Sequence, residues 1–312
     1  MTSGTITSAG LSLGAAAVWG GGDFAGGLAT KRANVFRVVA GAHACGLVLM
    51  LILAWATGEP MPPYQSLWWG VAAGVSGAFG IAALYQALAI GRMGIIAPVA
   101  SVITAVLPVL VGLRTEGMPD RLQLAGFALA LVSIWLVARP DGKIDTHRGL
   151  GLAVLAGVMF GVFLVTGKQA GHHGVFWPLV AARIASTLLM LTIVAFSPRD
   201  ARSLRGALVP ILLSGLLDSG ANALFIAATR HGRLDVAAVL SSLYPASTVI
   251  LARVLLKERI SAWQNAGIVG ALVSVAAARL AVWEEGRPGW LMGGLASLQI
   301  AYTFILDRFW VM

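Results

Sequence analysis

Charge is scarce in this chain: 11% of its 312 residues are Asp, Glu, Lys or Arg, against 58% apolar. A water-soluble domain carries roughly a quarter of its residues charged, so a soluble globular fold is excluded. Cysteine is scarcer still. Cys45 stands alone in an apolar run, which excludes disulfides and thiolate metal sites. Acidic residues number 13 against 22 basic ones, a net charge of +9. That excess does not indicate nucleic acid. The Lys and Arg sit in short connections between apolar runs, where they set topology and meet lipid headgroups. Met1–Gly10 lacks Lys and Arg and precedes an apolar stretch of about 20 residues, so the start does not read as a cleavable signal.

What the chain has is long apolar runs, with a mean hydropathy of +0.85. Crossing ~30 Å of hydrocarbon takes about 20 helical residues, so this length leaves room for about ten helices. Spans are expected near 10–29, 35–57, 67–89, 94–113 and 121–138, then near 149–167, 176–196, 206–228, 236–256 and 262–282. A membrane β-barrel needs alternating segments of about ten residues, and these runs are continuous. Trp55, Trp68, Trp69, Trp135, Trp177, Trp263, Trp283, Trp290 and Trp310 fall at span ends, as interfacial anchors do. Trp19 falls inside a span.

The chain also repeats itself. Ala83-Leu84-Tyr85-Gln86-Ala87 answers Ala223-Leu224-Phe225-Ile226-Ala227 at an offset of 140. Gly10-Leu11-Ser12-Leu13 answers Gly149-Leu150-Gly151-Leu152 at 139, and Gln123-Leu124-Ala125-Gly126 answers Gln264-Asn265-Ala266-Gly267 at 141. Two five-span halves are expected, over 10–138 and 149–282, joined by the charged linker Arg139–Arg148. An odd number of spans per half makes the second enter the bilayer from the opposite side. That is the plan of an inverted-repeat transporter with its site between the halves. A tail, 283–312, carries an apolar segment at 289–306 that either spans or lies in the interface.

Among the acidic residues only Asp23 and Asp218 fall well inside spans. A charge at membrane depth costs ~2.5–3.5 kcal/mol on insertion scales, so each should face the interior and find a partner. Arg183 and His43, at equivalent places in the two halves, are the candidates. Ser214, Asp218 and Asn222 recur every four residues and share a helix face, as do Trp19 and Asp23. A polar cavity lined by Trp19, Asp23, His43, Tyr85, Arg183, Asp218 and Asn222 is therefore expected. Arg183 would bind a carboxylate or balance Asp218, and one Asp would carry a coupling proton. The alternative is a buried Arg183–Asp218 pair that only fixes helix register. Pro98, Pro108 and Pro245 lie within the fourth and ninth spans, each deleting a helix hydrogen bond and opening a kink, and Ser241, Ser242, Tyr244 and Thr248 around Pro245 are either cavity wall or packing.

Enzyme signals are weak. Gly20–Gly27 lacks the strand before and the Lys-Ser/Thr after that a phosphate loop needs. His172-His173 are adjacent, no His-Glu-x-x-His occurs, and no lysine lies mid-span. Neither an enzyme nor a cofactor or metal is expected.

Trp19-Gly20, Ala83–Leu88, Ser242-Leu243-Tyr244-Pro245, Arg253-Val254-Leu255-Leu256-Lys257-Glu258-Arg259 and Gln264–Gly267 together resemble the EamA-type permeases of the drug/metabolite transporter superfamily. The resemblance covers nearly all of 10–282. It implies an all-α basket of ten helices in two inverted halves, moving small metabolites, often outward. Two departures stand out: Thr104 and Gly117 occupy the first-half places of Pro245 and Glu258. Family members are drawn with both termini cytoplasmic, whereas the Lys/Arg bias here puts Lys31, Arg32 and Arg37 on that side and the termini outside. The expected function is secondary transport of a small polar metabolite, an amino acid or related amphiphile, by alternating access with proton or substrate-gradient coupling. The location implied is a bacterial plasma membrane, with lipids as neighbours and a monomer or weak homo-oligomer as the working unit. The competing reading is a non-transporting assembly subunit or lipid-flipping partner.

Overall fold

The structure, a computed structural model, describes residues 3–91, 93–119, 121–138, 149–197 and 204–256, with 262–263, 265–267 and 269–270 beyond them. Among the described residues there are helices and no strands. The longer ones are α1 (Ser3–Thr30), α2 (Val35–Ala56), α3 (Tyr64–Ile90), α4 (Met93–Thr115), α5 (Arg121–Ala138), α6 (Leu150–Ala170), α7 (Phe176–Phe196) and α8 (Leu208–His231). Two shorter ones follow, α9 (Leu234–Ser241) and α10 (Tyr244–Leu256). α2, α3, α4, α6, α7 and α8 are long and apolar enough to cross a membrane. Without water at that depth the backbone must bond to itself. Hydroxyls comply by donating to carbonyls one turn back, as Ser12 does to Ser8, Thr30 to Gly26 and Thr166 to Val162.

Local chemistry sets the boundaries. Asn34 caps α2 by accepting the Phe36 N–H, and the tight start of α6 uses Gly149 at φ 86°. Two expectations need correction. α1 begins at Ser3, seven residues ahead of the span expected from 10, and the Ser12 hydroxyl closes a turn on Ser8 within that added stretch. The ninth span is not continuous: α9 stops at Ser241 and α10 starts at Tyr244. Pro245 has no N–H to give to Ser241, and its ring crowds that carbonyl. The expected tenth span lies mostly, and the 289–306 segment wholly, outside the described residues.

The packing obeys an exchange of halves. α1 packs on α8 as α3 packs on α6, α2 on α8 as α3 on α7, and α4 on α6 as α1 on α9 and α10. α2 meets α7, and α4 meets α9, across the seam. Short connections make successive helices antiparallel. α1 starts beside Gly232, where α8 gives way to α9, whereas α6 starts beside Ala87 and Ile96 at the other end, so the two halves run in opposite senses. One end of the bundle collects the Ala56–Tyr64 connection, the ends of α4 and α6, and the starts of α7 and α9: Glu59 holds the start of α7, and Arg233 reaches Glu116 and Gly117. The other end includes Arg32 bonded to the Gly206 carbonyl. Outward faces are apolar, with Ile52, Leu110 and Leu188 more than half exposed, and Trp55 (75% exposed) and Trp68 (68%) mark their borders. This is an integral, multi-pass membrane protein.

Candidate functional site

Close helix contacts put the middle of α1 against α8. A side chain on Gly22 would come within 3.3 Å of the Asp218 backbone nitrogen, so the two acidic residues are carried on helices that touch at their own level. From this contact Asp218 reaches across to α7. Its carboxylate accepts from the Arg183 guanidinium at 2.5 Å and from Asn222 Nδ2 at 3.4 Å. Asn222, with its amide so oriented, accepts the Trp19 indole N–H at 2.9 Å, and the Trp19 ring lies 5.8 Å from that of Phe225. A chain of Arg183, Asp218, Asn222 and Trp19 thus ties α7, α8 and α1 together in mid-bundle.

These groups surround a cavity of about 60 Å³. Eight of the ten expected site residues line it: Trp19, Asp23, His43, Arg183, Asp218, Asn222, Ser241 and Tyr244. Tyr85 and Pro245 do not. Tyr85 stands behind the wall, its hydroxyl 2.8 Å from that of Ser214 and its ring filling the space left by Gly26. Pro245 is buried beyond Tyr244, whose hydroxyl donates to the Ala97 carbonyl at 3.4 Å. Thr248 bonds to the Gly20 carbonyl instead of facing the cavity.

The wall also draws on helices left out of the sequence-based site. α4 supplies Thr104 and α6 supplies Phe160, Phe163 and Leu164. A signal was available for one of them: at the 139 offset Phe163 answers Phe24, on the turn that carries Asp23. Of the two candidate cations, Arg183 is the one that pairs. Among the described residues Asp23, 8% exposed, has neither a hydrogen bond nor an ion pair. His43 Nδ1, Arg183 Nε and the Ser242 hydroxyl are buried without a partner. The lining therefore combines one neutralised pair, one acidic side chain without a partner, spare donors and an aromatic flank.

The described residues contain no cluster of His, Cys, Asp and Glu that fits a metal. The family model of the EamA-like transporter family matches residues 7–139 and again 147–280. This chain belongs to the EamA-like transporter family. The two matches make it a two-repeat member of the drug/metabolite transporter superfamily, a membrane transporter of small molecules. A solved structure described only as the crystal structure of a protein is similar over 91% of this chain and 99% of its own, at 18% identity and a TM-score of 0.70. At that identity the likeness speaks to the fold alone. No curated protein matches the chain.

Proposed function

We propose that this EamA-like protein is a secondary transporter that moves a small polar metabolite with an ammonium group, an amino acid or related amphiphile, out of the cell by alternating access. The observation that carries the reading is Asp23. Arg183 and Asp218 cancel, which leaves Asp23 as a buried carboxylate on the cavity wall without a compensating charge. A buried charge of this kind demands a counter-charge. A cargo ammonium or a proton meets that demand, and competition between them at one carboxylate couples the two fluxes.

The other lining groups suit the rest of the cargo. Arg183 keeps Nε free, and His43 Nδ1 lies on the same wall, so a carboxylate has donors without dissolving the Asp218 pair. Trp19, Phe160, Phe163 and Tyr244 offer rings to an apolar side chain. The outward direction, a bacterial plasma membrane and a monomeric or weakly associating unit extend the same reading. Pairing of Arg183 with Asp218 also fits an assembly subunit, but such a pair would be sealed from water, and here both partners face the cavity.

Proteoliposome flux tests the proposal. Amino acids and amines should be carried, and analogues with the amino group replaced by hydroxyl should not. Equal flux of both sets, or flux of neither, contradicts the reading.

A further inference from the structure

Four charged side chains gather at one end of the α4–α9 seam, away from the cavity. Glu116 follows α4 in the first half. Lys168 ends α6, Arg233 precedes α9 and Asp235 lies in its first turn, all in the second half. Glu116 accepts from the Lys168 ammonium, and its other oxygen takes the Leu234 N–H at 3.0 Å. Arg233 grips both oxygens of Asp235 at 3.0 and 2.7 Å, and donates to the carbonyls of Glu116 at 2.9 Å and Gly117 at 2.7 Å. The charges balance.

Helix ends at a membrane surface ordinarily leave such groups in water, yet the Asp235 side chain is 0% exposed and those of Glu116 and Lys168 17% and 18%. The backbones are equally close, since a Cβ on Gly112 would lie 3.0 Å from that of Asp235. The same two helices continue into the cavity wall. Thr104 is about two helical turns from Gly112, and Ser241 under two turns from Asp235, at ~5.4 Å per turn.

We propose that Glu116, Lys168, Arg233 and Asp235 form a latch that shuts this end of the pathway and must part for the cavity to open here. Every cross-seam bond in the cluster joins the first half to the second. A carrier whose halves rock about a central site breaks just those contacts when it opens on this side. The latch is independent of which cargo fills the cavity.

Thiol accessibility tests it without a cargo. Ser8 is 1% exposed beside Gly232, the residue before Arg233, where a Cβ on the glycine would lie 2.5 Å from the Ser8 oxygen. With Cys45→Ala removing the native thiol, Ser8→Cys reports opening at this end to a membrane-impermeant maleimide. Adding Glu116→Gln with Arg233→Gln should raise the labelling rate about tenfold, the size of an ordinary coupling free energy. Lys168→Gln alone should raise it about threefold, since one partly exposed ion pair contributes less. Variants with wild-type helix content and elution but an unchanged labelling rate overturn the latch. A rise in labelling together with absent amine flux upholds it and sinks the cargo assignment.

Discussion

Gly74 on α3 lies against the Ala182 carbonyl on α7 so closely that a Cβ there would stand 2.1 Å from the oxygen. Its counterpart at the 141 offset, Gly215 on α8, meets the Ala42 carbonyl of α2 at 2.2 Å. One contact is the other with the halves exchanged. Both bring a backbone, rather than a flexible side chain, into the space an added methyl would need. Gly74→Ala and Gly215→Ala should each lower stability by about 3 kcal/mol, the upper part of the overpacking range. Thermal unfolding in detergent measures this, with Gly220→Ala as the comparison, because nothing lies within 4 Å of a Cβ at Gly220. Equal melting temperatures for all three variants would contradict the packing.

The Arg183–Asp218 pair gives a second prediction. Asp218→Asn leaves a buried guanidinium without its counter-charge and should lower stability by about 3 kcal/mol. Arg183→Met with Asp218→Leu removes both charges and should recover most of that loss while abolishing flux. A double-mutant cycle on unfolding separates the outcomes. Additive single losses would mean that the two side chains do not act as a pair.

A third concerns the wall between Trp19 and Asn222. Trp19→Phe keeps a ring in place and removes the indole donor that orients Asn222. The expected change is a loss of about 1 kcal/mol, roughly fivefold in cargo affinity, with the fold retained. Competition binding with the best-transported amine reads it. Unchanged affinity would mean that the Asn222 orientation is not used.

A fourth lies outside the cavity. Glu59 follows α2, and its carboxylate accepts the N–H groups of Val175, Phe176 and Trp177 at 2.8 to 3.0 Å, while its carbonyl takes the Trp177 indole at 2.8 Å. A negative charge over three free N–H groups at the start of α7 combines capping with the helix dipole. Glu59→Gln should lower stability by about 1 kcal/mol and Glu59→Ala by about 2 kcal/mol, seen as a graded fall in unfolding temperature. No difference from the parent protein would rule out the cap.

Much of this architecture was legible in the residues themselves. Apolar length located the long helices, and the repeat offset put His43 and Arg183 at equivalent places in two inverted halves. The polar stripe of Ser214, Asp218 and Asn222 was readable because a four-residue spacing fixes one helix face. What escaped was tertiary. Glu59 and Glu116 lie beside connections, where a sequence shows only surface charge, and their partners are 50 or more residues away. The break between Ser241 and Tyr244 needed the cost of Pro245 to exceed the helix's continuity, and spacing alone does not decide that contest. Phe160 and Phe163 joined the wall because α6 packs on both α3 and α4, and only the repeat match to Phe24 pointed to Phe163.

On the proposed function, Asp23, unpaired in the cavity between the halves, takes the cationic group of the cargo or a proton in its place. The measurement that addresses it most directly is pH-gradient-driven flux of an amine cargo in proteoliposomes containing the parent protein or Asp23→Asn at equal reconstitution. Gradient-driven flux is expected for the parent protein and its loss in Asp23→Asn, with the melting temperature held. Flux at the parent rate with the same pH dependence in Asp23→Asn would contradict it.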